Sequence, residues 1–236
     1  MCSSDLINIS NKCYCGCKFC NFHVKPSDKS SYTTTIDQYR SKIEELFNFG
    51  GNQILLQGGL DPTVGIEFYT ELFRELKRNF PAIKLHALGP AEVLFLSRRS
   101  KLTIEDTLRQ LIEAGLDSLP GAGAEILCDR VRKIVSPNKC TSQEWLDVMS
   151  VAHQLGLVTS ATMMFGHVET VEERIEHLVK IRDLQASRPT GSTGFTAFIP
   201  WPFQKSGTVL ESEYPDIEPV SRSEYIRMIA ISRLAL

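Results

Sequence analysis

Cys13, Cys17 and Cys20 form a C-x3-C-x2-C array in the stretch Cys13-Tyr14-Cys15-Gly16-Cys17-Lys18-Phe19-Cys20. Three thiolates on so short a loop can converge on one inorganic centre, and thiolate is the usual ligand of iron–sulfur clusters. A 4Fe–4S cluster has four irons, so three cysteines leave one iron open to another ligand. An open position of that kind separates catalytic from structural metal centres. Cys15, inside the first gap, is either a competing ligand or a bystander thiol, and bystander is the expectation.

Other cysteine chemistries fit less well. Zinc is the first alternative, but zinc sites usually join two separated C-x2-C pairs and no second pair follows. A disulfide staple does not suit a chain of this length in which no secretory segment is read. A redox pair of Cys17 and Cys20 would leave Cys13 unexplained. Cys2, Cys128 and Cys140 are scattered and read as inert thiols.

Composition bounds what can position such a loop. With 236 residues, 42% hydrophobic and 23% charged, the chain can bury one large core. A single α/β domain over residues 1–236 is expected. The net charge of −2 and the lack of a basic block argue against a nucleic-acid partner. No apolar run approaches the ~20 residues that cross a bilayer, so no membrane partner is expected. Cysteine usage fits a reducing cytoplasm. The cysteine loop lies almost at the first residue, and the last residues sit in an apolar helical pattern without a C-cap. A piece incomplete at both ends is expected.

Strand and helix patterns alternate. Residues 6–10 read as a strand feeding the cysteine loop. A helix over 35–47 opens on the capping box Thr35/Gln38, carries the stripe Ile36, Tyr39, Ile43, Leu46 and Phe47, and stops at Gly50. Residues 54–56 form a buried strand ending at Gly58-Gly59, and a helix over 66–79 turns Tyr69, Leu72, Phe73 and Leu76 inward. A third strand spans 84–88, and Leu108, Leu111 and Ile112 mark a third helix. A fourth strand, 118–120, runs into the small-residue turn ending at Glu125. Thr141/Glu144 caps a helix that buries Trp145, Val148, Met149, Ala152 and Leu155. Residues 158–164 are a fifth strand. Thr170/Glu173 caps a fifth helix with Val171, Ile175, Leu178 and Val179 on one face. Residues 195–199 are a sixth strand, and a sixth helix starts near Tyr225.

Six βα units in a row predict a parallel sheet with right-handed crossovers, closing or nearly closing into a TIM-like barrel, here truncated. No dinucleotide fingerprint follows the first strand. In such a barrel the loops after the strands carry the chemistry. The cysteine loop, Gly58-Gly59, Glu125, Gly166-His167-Val168-Glu169 and Pro200-Trp201 all follow strands, while His86 lies within one. Each has a plainer reading. Gly58-Gly59 serves equally as a tight turn or as close backbone approach to a ligand. Glu125 and Glu169 could simply charge helix starts. His86 and His167 could be core histidines with structural hydrogen bonds. His153 and His177 need no functional reading, and Trp201 is either core or a stacking ring.

The three-cysteine spacing with an aromatic, Phe19, before the last cysteine resembles the radical S-adenosylmethionine superfamily. Several runs are similar to its cyclic dehypoxanthine futalosine synthases of menaquinone biosynthesis. They are Leu56-Gln57-Gly58-Gly59-Leu60, Leu119-Pro120-Gly121, Ala124-Glu125-Ile126-Leu127, Ser136-Pro137-Asn138-Lys139, residues 164–170 and residues 195–201. Aminofutalosine synthase and the deazaflavin-forming (FO) synthases share much of this, but residues 200–204 look more like the cyclase. Cys15 is foreign to the family motif, and His23 stands where a tyrosine is common.

The resemblance implies a radical SAM barrel enzyme holding a 4Fe–4S cluster through Cys13, Cys17 and Cys20, with S-adenosyl-L-methionine as second cofactor. It implies hydrogen abstraction from C4′ of a nucleoside-derived substrate, ring closure to a spirocyclic product, and a flavodoxin- or ferredoxin-type reductant. Gly58 and Gly59 would meet the methionine amine and Glu125 the cofactor ribose. Met164, Gly166 and Glu169 would line the adenine, although Thr162 replaces the first glycine of that motif, and Ile199 would offer backbone contact. His86 and His167 are the catalytic candidates, for substrate contact or for accepting the final proton. A non-enzymatic alternative is a cluster-bearing electron-transfer or sensor protein.

Overall fold

The computed structural model describes residues 4–236, so Cys2 lies outside the described residues. Two compact units divide the chain. The first comprises residues 1–14 and 22–120, the second residues 15–21 and 121–236.

In the first unit, alternation of apolar residues makes the strands. β1 (Ser4–Asn8), β2 (Gln53–Gln57), β3 (Lys84–Ala87) and β4 (Ser118–Leu119) lie side by side in chain order, all parallel. Ile7, Ile54, Leu56, Leu85 and Ala87 are buried on one face. Leu55, Gln57 and His86, which alternate with them, are half-buried. A parallel sheet normally has both faces covered, so the polar, part-open face is the one left for function.

The helices bury the other face. α1 (Ile36–Asn48) opens on the expected Thr35/Gln38 capping box and buries Tyr39, Ile43 and Leu46, and α2 (Ile66–Asn79) buries Tyr69, Phe73 and Leu76. Leu72 is only half-buried. The crossover from β3 to β4 holds two helices, α3 (Pro90–Ser100) and α4 (Ile104–Ala114), where the sequence predicts one. α3 escapes periodicity because it is buried nearly all round, Glu92 and Ser97 included. Its one signal is Pro90 at the first helical position. Asp117 then ties β3 to β4: its carboxylate accepts from Lys77 Nζ (2.5 Å) and the Leu85 amide (2.7 Å).

In the second unit, α5 (Asp129–Val135) and α6 (Ser142–Gln154) precede β5 (Val158–Phe165). α7 (Val171–Ala186) leads to β6 (Phe195–Pro202), followed by α8 (Val209–Glu213) and α9 (Arg222–Ala235). β5 and β6 pair in parallel, with Thr162 opposite Ile199 and Met164 opposite Trp201. Ile126, Val131, Val135, Met163, Met164, Phe165, Leu178 and Met228 form the core.

One helix face needs correcting. Val171 and Ile175 of α7 are exposed, and the helix instead buries His177, Leu178 and Ile181. Leu178 is buried as expected, but the stripe assigned by spacing alone is turned partly toward solvent because a neighbouring buried position is a histidine.

Candidate functional site

In the first unit the chain leaving β1 is pinned at Cys13. The Cys13 amide donates to Val24 O (3.0 Å) and the Tyr14 amide to Leu60 O (3.2 Å). In return the Leu60 amide donates to the Cys13 sulfur at 3.3 Å. An amide aimed at sulfur favours thiolate and is one of the levers that tune cysteine-ligated clusters. Gly59 explains the closeness. A Cβ there would run into the Lys12 carbonyl and the Cys13 Cβ, whereas one on Gly58 would make only ordinary contacts. Neither glycine has a positive φ. The close approach made by Gly59 is thus to the backbone of the cysteine loop itself.

His86 stands on the part-open face of β3, in register with Leu55 on one side and Ser118 on the other. Its Nδ1 lies 2.7 Å from Ser118 Oγ. Burial holds its basicity below the ordinary histidine value, with the Ser118 backbone opposing.

In the second unit residues 15–21 are stapled to the Ser136-Pro137-Asn138-Lys139 run. Asn138 Nδ2 donates to the Cys15 carbonyl (3.0 Å), and the Cys15 thiol donates to Asn138 O (3.6 Å). The Lys18 amide donates to Val135 O (2.9 Å). Cys15 is fully buried and serves this packing, Cys17 is buried, and Cys20 is half-buried.

Beneath that segment lies a buried ion pair. Lys139 Nζ is 2.7 Å from Glu125 Oε1 and 5.3 Å from the centre of the Phe19 ring. Glu125 has a left-handed backbone, φ 44°, a strained conformation for a residue with a Cβ. Burial pushes the Glu125 carboxyl up, but Lys139 beside it and Arg132 behind it outweigh burial and hold it low. Burial opposes the Lys139 charge, yet Glu125 and the Cys17 and Cys15 sulfurs raise its pKa above the ordinary lysine value. Arg132 braces the turn from inside, donating to the carbonyls of Gly123, Ala124 and Cys140.

The turn after β5 is built around Glu169, whose side chain is wholly covered. Its carboxylate accepts from the amides of Gly166 (2.5 Å) and His167 (2.9 Å) and from Arg174 Nε (2.8 Å). Gly166 has φ 85°, and a Cβ there would strike Val220. His167 Nε2 faces the Met164 carbonyl at 3.0 Å, which places the ring hydrogen on that nitrogen, and Nδ1 lies 3.1 Å from Glu169. Burial lowers the basicity of His167, with Glu169 opposing. Met164 is fully buried, and Ile199 on β6 is 46% exposed.

Thus Cys13, Gly58, Gly59 and His86 belong to the first unit. Cys17, Cys20, Glu125, Met164, Gly166, His167, Glu169 and Ile199 belong to the second. Sequence reasoning missed Lys139, Asn138, Arg132 and Arg174. The first two lie in a run noted only for resemblance, and nothing local distinguishes a buried cation from a surface one. Among the described residues, no three His, Cys, Asp or Glu side chains are packed closely enough for a single metal ion. A polynuclear cluster spreads its ligands wider, so this bears on a mononuclear ion alone.

The Radical SAM superfamily model matches residues 7–181. The chain belongs to the radical SAM superfamily. A second model, the CofH/MqnC C-terminal region, matches residues 192–236. This radical SAM chain is 42% identical over 231 residues to a cyclic dehypoxanthine futalosine synthase of Streptomyces coelicolor, covering 98% of the chain and 56% of that protein. It is 43% identical over 197 residues to a 5-amino-6-(D-ribitylamino)uracil–L-tyrosine 4-hydroxyphenyl transferase of Methanococcoides burtonii, covering 84% of the chain and 53% of that protein. The chain therefore spans little more than half the length of these relatives. In fold it resembles HydG, a maturase of the [FeFe]-hydrogenase, at TM-score 0.74 and 16% identity over 98% of the chain and 49% of HydG. Methylornithine synthase follows at 0.70 and 16%, over 96% of the chain and 61% of that enzyme. The fold is thus the partial βα barrel expected from six βα units. No helix of the described residues is long and apolar enough to cross a membrane.

Proposed function

We propose that this chain is the radical-generating part of an enzyme that closes dehypoxanthine futalosine into its cyclic form, in menaquinone biosynthesis. The observation that carries this is the 42% identity to the Streptomyces coelicolor synthase across 98% of the chain. Cys13, Cys17 and Cys20 would hold a 4Fe–4S cluster, and the residues around them fit one. The Leu60 amide supports the Cys13 sulfur, and the Lys139 cation lies over the ring of Phe19, which sits between Cys17 and Cys20 in the chain. Bound together, cluster and S-adenosylmethionine supply a carbon radical able to abstract hydrogen; the protein's share is to orient reactants and exclude water.

Each residue's share follows from its surroundings. Gly59 lets the β2 turn lie against the cysteine loop, bringing backbone polar groups to the methionine end of the cofactor. Glu125 is held ionised by Lys139 and so can accept from ribose hydroxyls. Glu169 works indirectly: its carboxylate is spent on the Gly166 and His167 amides, and it shapes the turn that would face the adenine, with the backbones of Met164 and Ile199. The His167 ring is spent on the Met164 carbonyl through Nε2 and its backbone amide on Glu169, so it is a positioning residue. His86, on a part-open face with Nδ1 on Ser118, is the histidine placed to meet substrate.

The second reading is the hydroxyphenyl transfer named for the Methanococcoides burtonii relative, favoured by its 43% identity over 197 residues. An anaerobic assay of the protein with reconstituted cluster, S-adenosylmethionine and a strong reductant tests both. Dehypoxanthine futalosine is offered in one arm, tyrosine with 5-amino-6-ribitylaminouracil in the other, and mass spectrometry follows 5′-deoxyadenosine and each product. Cyclic product lost in Cys17→Ala supports the cyclase. Product only in the second arm replaces it. A stable cluster that never cleaves S-adenosylmethionine leaves an electron-transfer or sensor role.

A further inference from the structure

We propose that Lys139 sets the charge beneath the cysteine loop, its ammonium holding up the reduction potential of a cluster bound through Cys17. The inference rests on the cluster reading above and adds a residue that reading does not require.

Three observations converge on Lys139. First, its head is enclosed between Glu125 Oε1 at 2.7 Å and the Phe19 ring at 5.3 Å, and Phe19 lies between Cys17 and Cys20 in the chain. A lysine head within about 6 Å of an aromatic centroid is a favourable cation–π contact, stronger when desolvated. Second, its position is fixed through the backbone, because Asn138 exchanges two hydrogen bonds with Cys15. The staple holds the backbone beside Lys139 against the loop, while Glu125 and Phe19 hold its head. Third, the other nearby cations are engaged elsewhere. Arg132 is spent on the carbonyls of Gly123, Ala124 and Cys140, and Lys18 is paired with Glu213 at 2.6 Å. Lys139 alone of these three is turned toward both Phe19 and Glu125.

The physical consequence concerns one electron. Reduction of a cluster from its oxidised to its reduced state adds one negative charge, taken from a low-potential one-electron donor. A fixed positive charge in a water-poor setting stabilises the more negative state, and the low effective dielectric magnifies it. Net charge around a cluster is among the factors that set its potential. Glu125 partly offsets the ammonium, but the Lys139 head is the member of the pair that lies over Phe19 of the loop, so the pair acts on the loop through Lys139.

The test is a redox titration followed by electron paramagnetic resonance, without S-adenosylmethionine, on the 236-residue chain with its cluster reconstituted. Lys139→Met should lower the ratio of reduced to oxidised cluster at a given potential by about tenfold, equivalent to about 59 mV for a one-electron couple. Lys139→Arg, which keeps the charge, should stay near the wild type. Lys139→Met combined with Glu125→Gln leaves no unpaired buried carboxylate, so it guards against a single variant that fails to load. It too should fall below the wild type. A Lys139→Met protein with normal cluster absorbance and an unchanged potential would overturn the inference, as would an unchanged potential in the double variant. Equal shifts in Lys139→Arg and Lys139→Met would also overturn it, since packing rather than charge would then be responsible. A wild-type chain that takes up no cluster would remove the cluster reading and this inference with it.

Discussion

The Leu60 amide points at the Cys13 sulfur from 3.3 Å, and Gly59 just before it leaves no room for a side chain. Gly59→Ala must therefore push the cysteine loop off the β2 turn. Overpacking of this kind costs about 1–3 kcal/mol. Iron bound per chain should fall, with a lower urea midpoint, while Gly58→Ala should change both far less. Equal behaviour of the two variants would sink the argument.

Cys15 and its neighbours should behave in opposite ways. Cys15 is a packing residue whose carbonyl and thiol meet Asn138. Cys15→Ser should keep the iron content and visible absorbance of the reconstituted protein. Cys13→Ser, Cys17→Ser and Cys20→Ser should each lose most of both. Loss of iron in Cys15→Ser alone would make it a ligand.

Glu169 gathers two amides and Arg174 in a covered site. Glu169→Gln removes the charge and leaves Arg174 with one fewer carboxylate. Breaking a buried pair from one side costs roughly 3–5 kcal/mol. Chemical denaturation should show a loss of that order, and Glu169→Asp should recover only part because the shorter arm cannot span both amides.

His177 predicts an acid limb to stability. Its Nδ1 accepts from the Leu127 amide at 3.0 Å. Burial, then Arg132 and Lys180, push its pKa down from the ordinary 6.5 to about 3, with the Thr162 backbone opposing. The unfolded chain thus binds a proton below about pH 6.5 that the folded chain refuses until about pH 3. Its contribution is complete above that window and is lost as pH falls through it, by at most about 1.4 kcal/mol per pH unit. His177→Gln retains an acceptor for Leu127 and cannot titrate there. Urea midpoints between pH 8 and 5 should decline less steeply in that variant than in the wild type.

How much of this was legible depended on whether the signal was local. The capping boxes Thr35/Gln38, Thr141/Glu144 and Thr170/Glu173 place three helix starts because their chemistry is complete within four residues. The strands were found because they alternate or run apolar. α3 was missed because a helix buried all round has no stripe. His177 was dismissed because a buried neutral histidine looks the same in sequence as an exposed one. The candidate residues do lie after their strands or, for His86, Met164 and Ile199, within one, yet their division of labour is not readable from the sequence. Glu169 and His167 bond their own turn, and Lys139, which answers Glu125, lies 14 residues away.

The staple between Asn138 and the Cys15 carbonyl spans 123 residues of chain. During synthesis at about 5–20 residues per second, Cys15 leaves the ribosome roughly six to twenty-five seconds before its partner exists. Cys13 can settle as soon as β2 delivers Leu60, while Cys15 and Lys18 must wait for Asn138 and Val135. Throughout that interval the segment from Cys15 to Lys18 lacks the bonds that fix its backbone. The shape of the cysteine loop is thus completed late, by the chain that follows α5.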